Sequence, residues 1–178
     1  MEPTLHLSLD EMEFVASESV KRTVHKRAAS TSHRHGHSGA PGFDLDIVGG
    51  FGEYAVAKFL GLPWEAAPGT TDKWGDIIPG LQVRATWHGG GRLILHPDDD
   101  DAHVFVLAIV ELPQVKLAGW TFGEEAKQEK FWDDPQRGRP AFFVPTHELR
   151  RCRGSRGLLR SHLRIESEVD QAPAPPHS

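Results

Sequence analysis

Gly50-Phe51-Gly52-Glu53 and, after a loop, Gly75-Asp76-Ile77-Ile78-Pro79-Gly80-Leu81-Gln82-Val83-Arg84 decide how this chain is read. Pro79-Gly80 is a turn signal. Beyond it Leu81, Val83 and Ala85 alternate with Gln82, Arg84 and Thr86. A strand sends successive side chains to opposite faces. The apolar three therefore pack inward, and Gln82, Arg84 and Thr86 share the other face. Asp76 opens a short hairpin and stands at the rim of any cleft on that polar face.

Upstream, Asp44 or Asp46 can cap a helix that runs to about Leu60, with Val48, Phe51, Ala55 and Phe59 as its apolar stripe and Gly61 as a left-handed end cap. Glu53 falls at the edge of that stripe. The ordinary fate of such a glutamate is solvent. Its place ahead of the Asp76 unit keeps a role in chemistry open.

Further out, Ser8 and Glu11 form a capping-box pattern, and Leu9, Met12, Val15, Ala16, Val20 and Val24 recur at helical spacing. The spacing predicts a helix over 9–27 with one buried apolar stripe. Its basic end (Lys21, Arg22, Lys26, Arg27) complements the helix dipole. Residues 28–42 are rich in Ser, His and Gly and read as a connector. His33, His35 and His37 alternate there without a cysteine or a spaced fourth ligand, so a solvated loop is the reading preferred over a metal site.

Downstream, Arg92–His96 reads as a strand and Asp98–Asp101 as a solvated acidic loop. The continuous apolar run from His103 to Glu111 predicts a central strand covered on both faces. Lys116–Phe122 reads as its neighbour, Glu124–Trp132 as a short helix, Ala141–Val144 as a last strand and His147–Arg151 as a short helix. Arg150, Arg151, Arg153, Arg156, Arg160 and Arg164 follow with no acid until Glu166. They form either a solvated basic tail or an arm whose forked guanidinium groups meet phosphate. The chain then turns Ala/Pro-rich, a composition typical of disorder.

With 178 residues, 38% of them hydrophobic, one domain with polar ends is expected. The divisions are 1–43 (helix and connector), 44–151 (core) and 152–178 (basic, then Pro-rich tail). A net charge of −5 excludes a uniformly basic surface but allows a local basic groove. The single Cys152 forms no internal disulfide and fits a reducing compartment. No apolar leader and no run of roughly 20 apolar residues occurs, so the expectation is a cytoplasmic protein with no membrane contact.

The order of helix glutamate, Gly-Asp at a hairpin, and an apolar-flanked strand reading Gln-Val-Arg-Ala-Thr resembles the PD-(D/E)XK nuclease superfamily, over roughly residues 44–146. The resemblance implies an α/β, restriction-endonuclease-like fold: a mixed central β-sheet flanked by helices, here with an N-terminal helix added. It implies that Asp76 is the metal-binding aspartate and Glu53 the helix glutamate. Gln82 stands where the second acid is expected, and Arg84 where the lysine is expected. Glutamine still offers a carbonyl oxygen, as a weaker ligand. Arginine can steady a phosphate but cannot serve as a base.

On this likeness Glu53, Asp76 and Gln82 hold Mg²⁺ or Mn²⁺, and these three with Arg84 form the catalytic set. Arg84, Thr86, Arg150, Arg151 and Arg153 contact nucleic acid. Asp72 could add a carboxylate, and His88 could relay a proton. The implied activity is hydrolysis of DNA phosphodiester bonds leaving a 5′-phosphate. The implied partners are DNA and, as many members of the superfamily act as dimers, a second copy of the chain. The small stand-alone format suggests a phage or mobile-element origin. Two alternatives are a catalytically inactive nuclease-fold module that binds nucleic acid, which Gln82 and Arg84 favour, and a protein-interaction protein, which the negative charge favours.

Overall fold

A computed structural model describes residues 2–28, 42–66, 76–135 and 138–154. Its elements are β1 (Thr4–His6), α1 (Leu9–Ala28), α2 (Gly42–Leu60), β2 (Leu81–Thr86), β3 (Leu93–Leu95), β4 (Val104–Glu111), β5 (Gln114–Phe122), α3 (Gly123–Ala126), β6 (Trp132–Asp133) and β7 (Ala141–Val144). Single 3₁₀ turns lie at Glu129–Phe131 and Thr146–Glu148. They replace parts of the two short helices expected there. The chain is a mixed α/β protein, as the sequence pattern predicts.

The main sheet has the order β1-β5-β4-β2. β2 runs parallel to β4, and the other pairs are antiparallel. β4 is buried on both faces, in keeping with its unbroken apolar run. Val104, Val106, Ala108 and Val110 face one core cluster, shared with α1 and α2. Phe105, Leu107 and Ile109 face a second cluster, which Leu93, Leu95, Ala126 and Val144 complete. The layers are thus two helices, a mixed sheet, and a small antiparallel sheet of order β3-β7-β6.

β1 has no counterpart in the sequence reading. Three residues carry too little periodicity to register; β1 exists because its backbone pairs with β5, Thr4 opposite Lys116. It places Leu7 and Val15 in the same core as α2. Cys152, assigned to the tail, is also buried in this cluster.

The buried stripe of α1 differs from the expected one. Leu9 is 64% exposed and Val24 49%, while Val15, Ser19 and Thr23 are buried. The stripe is apolar only in its first half. In the second it turns polar, because α2 presents Glu53 and the Asp46 carboxylate there. Thr23 donates to Asp46 Oδ2 at 2.8 Å, and Arg22 reaches Glu53.

Two glycines let α2 sit tightly between its neighbours. A Cβ on Gly50 would overlap Ser19 Oγ of α1. A Cβ on Gly52 would come 2.6 Å from the Ala85 Cβ of β2 and 3.3 Å from the Ala108 Cβ of β4. These close approaches carry the next residue, Glu53, into the interior, where it is only 8% exposed.

Candidate functional site

Glu53 is held by donors from two directions. Arg22 Nη1 donates to Glu53 Oε1 at 3.1 Å and to Oε2 at 2.8 Å. Trp64 Nε1 donates to Oε2 at 3.1 Å. Trp64 is fixed in turn by edge contacts with Tyr54 and Phe14, at 5.8 and 5.9 Å between ring centres. Arg22 is itself buried, and its Nε finds no partner among the described residues. Burial opposes its charge. The Glu53 carboxylate, with Asp46 and Asp76 behind it, nevertheless holds the guanidinium above the ordinary arginine value.

Asp76 reaches the same place from the start of β2. Its amide donates to the Leu81 carbonyl at 2.8 Å, and the Leu81 amide donates to the Ile78 carbonyl at 3.1 Å. Asp76 Oδ2 accepts the Val83 amide at 2.6 Å. These bonds make the expected chain reversal. The residues before it, Asp76–Ile78, form a bend rather than a paired strand.

Asp76 is partly buried and lies within electrostatic reach of Glu53, Arg84 and Arg22. Loss of water, then the Glu53 charge, push its carboxyl up to about 6. The Val83 amide and the two arginines pull the other way. Two acids from distant segments of the chain thus feel each other's charge.

Gln82 and Arg84 share one face of β2, as alternation requires. Arg84 Nη1 donates to Gln82 Oε1 at 3.3 Å, and Nη2 donates to Asp99 Oδ1 at 2.9 Å. The guanidinium lies 5.2 Å from the centre of the Phe105 ring. Asp99 is locked in its turn, since its Oδ2 accepts the His96 amide at 2.8 Å. The acidic run is therefore more than a solvated loop tip. Asp99 anchors Arg84, and Asp101 pairs with Lys127 at 2.6 Å.

Asp76 lies within electrostatic reach of Glu53, Arg22 and Arg84. Val83 and Ala85 turn toward α2, so Gln82 and Arg84 project from the opposite face of β2, where Arg84 meets Phe105, and Gln82 is not brought onto Glu53. Thr86 lies farther along the same strand face, where it accepts the His88 amide at 3.1 Å. His88 is exposed in the following turn. Arg150 is not a free arm. Its guanidinium donates to both oxygens of Glu125 and packs over Trp120 and Phe122, at 5.0 and 5.2 Å from the ring centres. It also closes an isolated bridge between its backbone and that of Trp120. This partner lies 25 residues earlier, beyond the reach of any local sequence pattern. Arg151 and Arg153 are exposed. Gly75, Asp72, the three alternating histidines and Arg156, Arg160 and Arg164 lie outside the described residues.

Sequence reasoning missed Arg22, Trp64 and Asp99. Arg22 read as a dipole-complementing surface residue. The one signal available was its place in line with Met12, Val15 and Ser19 at helical spacing.

The donor chemistry suits a hard divalent cation. Mg²⁺ is commonly held by one or two carboxylates together with substrate phosphate and water, and Glu53 and Asp76 are two such carboxylates. Among the described residues no set of three or more His, Cys, Asp or Glu side chains is grouped to hold a metal. Among the described residues, no helix is long and apolar enough to cross a membrane. Comparison of the chain with protein families, with curated proteins and with solved structures finds no match.

Proposed function

We propose that this chain is a metal-dependent deoxyribonuclease of the restriction-endonuclease-like type, which hydrolyses DNA phosphodiester bonds with Mg²⁺ or Mn²⁺. One observation carries the reading. Glu53, buried on α2, and Asp76, partly buried before β2, lie within electrostatic reach of each other, Asp76 is pushed up by loss of water and by Glu53, and Arg84 lies within reach of Asp76 from β2. Perturbed carboxyls of this kind concentrate at functional sites, which is what supports the reading.

When bound, the cation supplies Lewis-acid activation of phosphate and water. The chain's own residues do the rest. Glu53 and Asp76 present carboxylate oxygens, and the Val83 amide fixes the Asp76 carboxylate. Trp64 and Arg22 fix Glu53. Arg84 supplies guanidinium donors to a phosphate as negative charge builds on it, and Phe105 and Asp99 set its plane. Arg84 moves no proton, so the attacking water loses its proton to another acceptor.

The test is supercoiled plasmid incubated with Mg²⁺ or Mn²⁺ beside an Asp76→Ala variant. Nicking or cutting by the parent alone supports the proposal. A second reading, a non-catalytic module that binds nucleic acid, is favoured by the engagement of Arg84 with both Asp99 and Gln82. Salt-sensitive DNA binding without any cutting would select it.

A further inference from the structure

A cleft of about 350 Å³ opens between the outer strand of each sheet. Its walls are Arg84 and Thr86 of β2, His88 and Arg92 of the intervening turn, Ile94 of β3 and Phe143 of β7. Ile94 and Phe143 stand opposite each other in the strand register. The Arg92 guanidinium lies 4.6 Å from the centre of the Phe143 ring. Beside the cleft, Trp87 is 46% exposed and meets His88 edge-on at 5.8 Å.

We infer that this cleft binds a nucleotide of an unpaired DNA strand, its base against the Phe143 side and its phosphate against Arg92 and Arg84. The inference rests on the nuclease reading and adds the substrate class to it.

Three observations favour this occupant. In a chain of net charge −5, the lining holds two guanidinium groups, an imidazole and a hydroxyl, and no carboxylate. The acids that approach it do so from outside. Asp99 pairs with Arg84, Asp133 stands 3.9 Å from Arg92 with both side chains about half exposed, and Glu111 reaches the turn at Gly89. Second, cationic and aromatic groups are interleaved. That is the pattern with which single strands are held, through phosphate contacts and base stacking. Third, the volume is at the small end of ligand pockets. It admits one nucleotide-sized unit and excludes a duplex.

Arg84 belongs to both the cleft and the acid site. Gln82 and Thr86 are four residues apart on β2, roughly 13 Å at the usual rise of a strand.

The experiment is fluorescence anisotropy in EDTA, which keeps binding separate from cleavage. The probes are a labelled oligodeoxythymidylate and its duplex with oligodeoxyadenylate. The expected result is at least about tenfold tighter binding of the single strand. Phe143→Leu, which keeps an apolar side chain there, should weaken it by about tenfold. Arg92→Gln, in an exposed turn that tolerates substitution, should weaken it and lower the salt slope by about one. Equal affinity for both probes, or no effect from either variant, overturns the inference. Plasmid cleavage with no single-strand preference would sink this inference and leave the nuclease reading standing. Single-strand binding that depends on Arg92 and Phe143, without any cleavage, would do the reverse.

Discussion

Two carboxylate sites join α1 to α2, and they are built on opposite principles. Near the start of α1, Glu11 accepts Lys58 Nζ at 2.6 and 2.9 Å, Tyr54 Oη at 2.8 Å and, through the capping box, the Ser8 amide at 2.8 Å. Lys58, the Ser8 amide and Tyr54 hold its carboxyl down at about 2, against a small opposing cost of burial. Toward the other end of the same helix pair, Glu53 shares its space with Asp76, and burial with like charge drives Asp76 up to about 6. The first acid is placed to stabilise the fold. The second pair spends stability, and positive charge is what offsets it. Arg22 supplies part of that charge from within the chain.

Breaking the internal counterion should have the largest effect. Arg22→Met leaves the buried Glu53 without its partner and within reach of the Asp76 charge, and the expected loss is about 3–5 kcal/mol in urea unfolding at neutral pH. Mn²⁺ should restore part of that loss in the variant, because the cation then answers both acids.

Asp76→Asn should act in the opposite direction on stability. With a folded value of about 6 against 3.8 unfolded, the folded form of the parent binds the extra proton between those pH values. Stability contributed by this group therefore falls as pH rises from 3.8 to 6 and stays low above it. The asparagine variant should be more stable than the parent by up to about 3 kcal/mol at pH 8 and equal to it below pH 3.8. It should also lose cleavage. An unfolding series across pH with no such crossover would remove the contrast between the two sites.

Gly52→Ala probes the packing that carries Glu53 inward. Helix propensity alone favours the change by about 1 kcal/mol. The 2.6 Å approach to Ala85 Cβ should overturn that gain and leave a net loss of about 1–3 kcal/mol. Cleavage should drop more than stability, since α2 is lifted where Glu53 sits.

The smallest effect is at the exposed staple. Glu11→Gln should cost about 0.5–1 kcal/mol, discounted for solvent around Lys58. Its stability contribution is present above pH 4.5 and disappears as pH falls through about 2, so the difference from the parent should vanish at strongly acid pH.

Features that depend on short-range pattern were legible in the sequence. β2 begins and ends at Leu81 and Thr86, and β7 at Ala141 and Val144, as alternation and flanking turns predict. The capping box at Ser8 and the left-handed Gly61 (φ 71°) are present. What escaped was set by distant partners. α1 reads as one apolar stripe, but its second half faces acids on α2, so Ser19, Arg22 and Thr23 go inward and Val24 outward. Asp99 reads as one of four consecutive solvated acids, yet Arg84 draws it inward. In the smaller sheet β3 and β7 were legible, but β6, two residues long, exists through a pairing with β7 that no local period announces.

The measurement that tests the central claim most directly is a Mn²⁺ titration of the metal-free protein at pH 8, followed by isothermal calorimetry, with Glu53→Gln and Asp76→Asn alongside. If these two acids share one cation, the parent takes up Mn²⁺ at a site that each variant abolishes or severely weakens. A parent that binds no Mn²⁺, or an Asp76→Asn protein that binds it as well as the parent, contradicts the account.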